Sequence, residues 1–250
     1  MKLGDRIHLV GSGSLGFDLT DPYDCNIYLV DGGRELALID VGAGMGAEGV
    51  IANVRSGGFD PGRIRYVLCT HAHGDHAGGL ARMRELLPHA TICISSEVSA
   101  LVRTADERGT SVDVAKEAGI YPADYQLEPC PVEWDLGDGE RVAVGDLFLE
   151  CIYTPGHASG HLSYLLDHGG RRSLFAGDVV FHGGGVLLQN LYDCSLAQLA
   201  VSLRRLRGLD IDALLPGHLA FSVNNGQRHI ERANEALDRL LIPNQVASAW

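Results

Sequence analysis

The chain has 250 residues, 46% of them apolar and 21% charged, with a formal charge of −12. That length buries a substantial core without disulfides or metal staples, so a metal site here is free to be catalytic. The negative field repels phosphate backbones and the basic residues are scattered, with lysine only at Lys2 and Lys116, which argues against a nucleic-acid partner.

The start, Met1-Lys2-Leu3-Gly4-Asp5, lacks a signal-peptide pattern, and no apolar run approaches the ~20 residues of a membrane helix. A cytoplasmic location with no membrane partner is the expectation. The cysteines at 25, 69, 93, 130, 151 and 194 are isolated and read as reduced thiols, mostly buried in strands.

In chain order, the first forty residues read as strands. Asn26–Val30 and Leu36–Ile39 form a hairpin ending at Asp40-Val41-Gly42. A helix follows over Ala47–Ser56, then a strand from Ile64 to Thr70 that runs straight into His71. Leu80, Met83, Leu86 and Leu87 have helical spacing, and Pro88 ends that helix. A strand over Thr91–Ile94 and another helix come next. Residues 104–130 break the rhythm and read as a helical insertion, with Tyr121 and Tyr125 as candidates for substrate packing.

Strands resume at Arg141–Val144 and Leu147–Tyr153, and again at Leu162–Leu166 and Ser173–Ala176. A capping box at Ser195 opens one closing helix, and Gln227–Leu241 makes the other. Strand clusters alternating with amphipathic helices predict a layered α/β fold in a single domain, with helices outside the sheets.

The chemistry concentrates in Thr70-His71-Ala72-His73-Gly74-Asp75-His76. His71 and His73 alternate at a strand end, so both imidazoles can face one side. Asp75 and His76 occupy the turn that opens a helix. Four metal-competent side chains this close are costly to bury without an ion, and imidazole with carboxylate favours zinc or another first-row metal over calcium. Three further turns each deliver one such residue from the end of an apolar strand: His157, Asp178 and His218.

This pattern resembles the metallo-β-lactamase superfamily, whose signature is His-x-His-x-Asp-His followed by His, Asp and His. The resemblance implies the four-layer αββα sandwich of that family. It also implies two zinc ions, with iron or manganese as alternatives. One ion would be held by His71, His73 and His157, the other by Asp75, His76 and His218, with Asp178 bridging. Asp40 matches the family's Asp-x-Gly turn, where the acid supports a metal-binding histidine.

A metal pair of this kind activates a bridging hydroxide near neutral pH for attack on a carbonyl, with Asp75 orienting it and taking its proton. The resemblance therefore implies a metal-dependent hydrolase of a small-molecule thioester or lactone, and it leaves room for a homodimer. Within the family, a bridging aspartate is typical of glyoxalase II-like thioesterases, lactonases and phosphodiesterases, and zinc β-lactamases generally lack it.

Thr154-Pro155-Gly156-His157-Ala158-Ser159-Gly160-His161 looks most like glyoxalase II, with His161 structural rather than a ligand. Only residues 219–250 follow His218, too few for that enzyme's helical glutathione-binding domain. The length suits acyl-homoserine lactonases, which carry a tyrosine where this chain has Phe181. His182 and Tyr192 are candidate replacements in the substrate pocket, beside Phe181. A persulfide dioxygenase holding one iron by His71, His157 and Asp178 is the alternative reading.

Overall fold

The computed structural model describes residues 1–246. Its first sheet has six strands in chain order: β1 (Ile7–Gly11), β2 (Ile27–Asp31), β3 (Leu36–Ile39), β4 (Ile64–Leu68), β5 (Thr91–Ser95) and β6 (Trp134–Leu136). The β1-β2-β3 meander is antiparallel, and β3, β4, β5 and β6 run parallel. The crossovers include helices α1 (Ala47–Ser56), α2 (Gly74–Ala77), α3 (Leu80–Leu86), α4 (Ser99–Thr104) and α5 (Val112–Glu117).

The second sheet holds β7 (Arg141–Val144), β8 (Leu147–Tyr153), β9 (Leu162–His168), β10 (Arg171–Gly177) and β11 (Ala213–Pro216), in the order β11-β10-β9-β8-β7. Helices α6 (Leu196–Leu206) and α7 (Gln227–Asp238) pack on its outer face.

Three apolar layers separate four structural ones, which makes the predicted αββα sandwich. Val50, Val54, Leu80 and Met83 pack beneath the first sheet, while Leu68, Cys93, Leu149, Tyr164 and Phe175 fill the space between the sheets. Leu199, Leu203, Leu206 and Ile230 join α6 and α7 to the second sheet. Buried strands read as continuous apolar runs because both of their faces are covered. The Ser195 hydroxyl caps α6 by accepting from the Gln198 N–H at 3.3 Å, and α7 stops at Asp238, short of the predicted Leu241.

Topology carries the site to one edge. β8 and β10 run parallel on either side of β9, and β11 is parallel to β10, so their C-terminal ends emerge together. Those ends meet the C-terminal ends of β3 and β4 across the seam between the sheets. The Tyr164 hydroxyl donates to Cys69 O at 2.6 Å, and the Tyr28 hydroxyl donates to Pro216 O at 2.7 Å. Backbone bonds from Leu162 N to Thr70 O (2.8 Å) and from Asn26 N to Gly217 O (2.6 Å) lock the same seam.

Among the described residues, no helix is long and apolar enough to cross a membrane. The α6 packing gives a direct stability test. Leu203→Ala empties a fully buried position and should cost roughly 2–5 kcal/mol in urea denaturation.

Candidate metal centre

All seven residues expected to hold metal converge at this edge. His71 and His73 follow β4, Asp75 and His76 lie in α2, and His157, Asp178 and His218 follow β8, β10 and β11. Asp75 is partly exposed and the other six are buried. His71, His73 and His157 bring ligand atoms within 4.8 Å of one another, and so do Asp75, His76 and His218. Asp178 reaches both groups. Its Oδ2 is 3.6 Å from His157 Nε2 and 3.5 Å from His218 Nε2, and its Oδ1 is 3.6 Å from His76 Nε2.

Each imidazole of the first loop has one nitrogen engaged away from the centre. His76 Nδ1 donates to Asp40 Oδ2 at 2.9 Å. His71 Nδ1 donates to the Thr70 hydroxyl at 2.9 Å, and that hydroxyl donates to Asp40 at 3.0 Å. Asp40 also accepts from the Thr70 N–H at 2.7 Å and sits at φ +60°, a strained position for a non-glycine residue. One carboxylate thus orients His76 directly and His71 through Thr70. His157 Nδ1 donates to Leu187 O at 3.0 Å.

His73 is turned the other way. Its Nε2 donates to Asp193 Oδ2 at 3.2 Å, which leaves Nδ1 facing His157 Nε2 at 3.1 Å. Asp193 carries no metal-ligand spacing in the sequence; its only signal is being an acid next to Tyr192 in a loop. His161 uses both nitrogens: Nδ1 donates to the Thr154 hydroxyl at 2.9 Å and Nε2 accepts from the Asp178 N–H at 3.1 Å. It is structural, as the motif reading expected. Gly217 is required at the centre, because a Cβ there would lie 2.3 Å from Asp178 Oδ1 and 2.5 Å from the His76 ring.

The donor atoms fit a metal. His71 Nε2 and Asp178 Oδ1 are buried with no hydrogen-bond partner, an expensive arrangement unless an ion takes them up. Nitrogens bound to a tetrahedral zinc at ~2.0–2.1 Å lie about 3.3 Å apart. The inward nitrogens of His73 and His157 are 3.1 Å apart and those of His76 and His218 are 3.2 Å apart, close to that spacing.

Protonation follows burial and charge. Burial holds the His71 pKa well below the ordinary imidazole value and His157 at about 4. Burial also lowers His76, but Cys25 and the carboxylates of Asp178, Asp75 and Asp40 outweigh it and hold His76 well above the ordinary value. His218 is likewise raised, with Asp178 and Asp75 overcoming burial. Burial pushes Asp75 and Asp178 up, yet the neighbouring imidazoles keep both below the usual carboxylate range.

A cavity of about 430 Å³ opens over His73, Asp75, His157, Asp178 and His218. The 104–130 segment supplies one wall through Thr110, Ser111, Val114, Ala115, Ala118, Ile120 and Tyr121, and Leu187–Leu191 supply the other. No lysine or arginine lines it among the described residues.

Three expected pocket residues do not line this cavity. Phe181 is fully buried, its backbone N–H turned to Gly185 O at 2.8 Å, because the chain dives into the core after Asp178. His182 is exposed, packs on His229 with ring centroids 4.3 Å apart, and approaches the Ser222 hydroxyl at 3.3 Å. Tyr192 is 65% exposed and donates to Gly109 O, tying the wall loop to the 104–130 segment. Tyr121 lines the cavity. Tyr125 instead anchors the 104–130 segment, donating to Ala43 O at 2.8 Å and stacking on Tyr121 at 4.7 Å.

Comparison with known proteins agrees with this geometry. Residues 20–218 match the metallo-β-lactamase superfamily, and the chain belongs to it. It is 28% identical over 241 residues to the acyl-coenzyme A thioesterase MBLAC2 of Gallus gallus, covering 89% of this chain and 82% of that protein. It is also 28% identical to a hydroxyacylglutathione hydrolase of Synechococcus, covering 77% of this chain and 62% of the relative. The match to YobT of Bacillus subtilis, at 32% identity, covers 66% of this chain and 65% of that protein. Less than two thirds of the length of these last two relatives is therefore spanned.

Among solved structures, a metallo-β-lactamase family protein of Thermus thermophilus has a TM-score of 0.72 at 22% identity, covering 95% of this chain and 81% of that one. At that identity the likeness speaks for the fold alone.

Neighbouring carboxylates outweigh burial and favour the charged forms of His76 and His218, whereas a metal needs both rings neutral, so metal uptake should release protons wherever they are charged and affinity should rise with pH until both are neutral. Calorimetry in buffers of different ionisation enthalpy measures this. Heat independent of buffer would show that the two imidazoles are already neutral.

Proposed function

We propose that this protein is a dinuclear metal-dependent hydrolase of a carboxylic thioester or lactone. The carrying observation is the place of Asp178: its carboxylate spans both ligand groups at the floor of a cavity walled in part by apolar side chains. His71, His73 and His157 would hold one ion and Asp75, His76 and His218 the other. Divalent ions so held supply an activated water nucleophile near neutral pH and polarise the carbonyl under attack.

The chain's own residues do the rest. Asp40, Thr70, Leu187 O and Asp193 orient the imidazoles through their outward N–H groups. Asp75 Oδ2, 3.0 Å from His218 Nε2, faces the cavity as a carboxylate, suited to accept the proton of the attacking water. Val114, Ala115, Ala118, Leu187 and Leu191 offer an uncharged acyl arm an apolar bed, with no lysine or arginine lining it among the described residues to pair with a substrate carboxylate. The named thioesterase and hydroxyacylglutathione hydrolase relatives support ester-type chemistry.

Metal analysis of the purified protein, coupled to a panel of thioesters, lactones and phosphodiesters, tests the reading. The expected result is two divalent ions per chain and turnover of thioesters or lactones. A single iron with oxygen uptake on glutathione persulfide would replace it with the dioxygenase reading. Asp75→Ala should lower kcat by roughly 10²–10⁴-fold while the circular dichroism spectrum stays that of the parent. Ala118→Phe narrows the cavity and should raise KM for long acyl substrates more than for acetyl ones.

A further inference from the structure

The segment from Leu187 to Asp193 touches the metal centre at both ends and the cavity in between. At one end Leu187 O accepts from His157 Nδ1 at 3.0 Å, and at the other Asp193 Oδ2 accepts from His73 Nε2 at 3.2 Å. Leu187 through Leu191 form a cavity wall. These two bonds decide which nitrogen each ring turns inward, Nε2 for His157 and Nδ1 for His73. The inward atoms end 3.1 Å apart.

Asp193 is built in. It is 9% exposed, its Oδ2 also accepts from the Ser159 N–H at 3.4 Å, and its Oδ1 is buried without a partner. Ser159 lies two residues beyond His157, so this one carboxylate braces the loops of two ligands. A buried acid with an unsatisfied oxygen is costly, and a role at the metal centre accounts for keeping it.

We propose that Asp193 is a positioning residue that holds His73 as an Nδ1 ligand and, through the 187–193 loop, couples metal binding at the His71, His73 and His157 group to the order of the cavity wall. Without the carboxylate, the His73 ring is free to rotate and turn Nε2 inward, misplacing the donor. Coupling is reciprocal: an ion that fixes His73 and His157 fixes the wall between their partners, and a molecule held against that wall tightens the ion by the same factor. The inference rests on the metal-centre reading and not on hydrolysis.

Zinc affinity by chelator competition, cobalt(II) absorption spectra and hydrogen exchange of the 187–193 amides test it in the full chain. Asp193→Ala should weaken the affected zinc site by about 10–100-fold and shift the cobalt bands. Asp193→Asn retains an acceptor oxygen and should recover most of both.

In the parent, zinc should slow exchange at 187–193; in Asp193→Ala that protection should be lost. Parent zinc affinity and an unchanged cobalt spectrum in a folded Asp193→Ala protein would overturn the positioning role. Equal exchange with and without zinc in the parent would overturn the coupling. Neither readout needs a substrate, so failure of the hydrolase reading alone leaves both results interpretable.

Discussion

Burying a cluster of imidazoles and carboxylates where two sheets meet is the constraint on which this molecule turns. Unpaired polar groups in such a place cost several kcal/mol each unless something satisfies them. Here four imidazoles each have one nitrogen hydrogen-bonded outward, to Asp40, Thr70, Leu187 O or Asp193, and the opposite nitrogen faces a common centre. The inward set has the donor chemistry of a cation site. Gly217, the left-handed Asp40 and the close seam between the sheets are all consequences of fitting these groups into one small space.

The sandwich meets that constraint by collecting strand ends. Parallel neighbours finish on the same side, so each strand-to-loop transition delivers one donor to the seam, and the hydroxyls of Tyr28 and Tyr164 hold the two sheets in register beneath it. The centre therefore belongs to the rigid part of the molecule. The less regular parts, residues from the 104–130 segment and the 187–191 loop, form the two walls of the cavity. Family membership speaks for the centre, and the chain's own wall residues speak for what lies above it.

Much of this was legible in the chain before folding. The helix read over Ala47–Ser56 and the strands read over Arg141–Val144 and Leu147–Tyr153 are α1, β7 and β8 at their observed bounds, because turn glycines mark their ends. The short strand β6 escaped notice, since three residues contain no period to read and its pairing to β5 is non-local. Metal-competent residues stand out by type and spacing, so the ligand loop and its three single-residue partners were visible. Asp40 was visible too, through its Asp-x-Gly turn. Asp193 was not, because an isolated acid in a loop looks like any solvated surface residue.

Pocket assignments failed for the same reason. Phe181, His182 and Tyr192 lie near Asp178 in the chain or in the same loop region, yet a side chain's direction after a turn depends on how the backbone packs against distant elements. The core took Phe181, the surface of α7 took His182, and Gly109 O took the Tyr192 hydroxyl. Local order and residue chemistry were thus enough to specify most of the elements and the metal-competent side chains that the fold brings together. Which nitrogen each imidazole presents, which residues wall the cavity and which acid braces His73 were set by contacts between segments up to 120 residues apart, and such contacts exist only once the two sheets have closed.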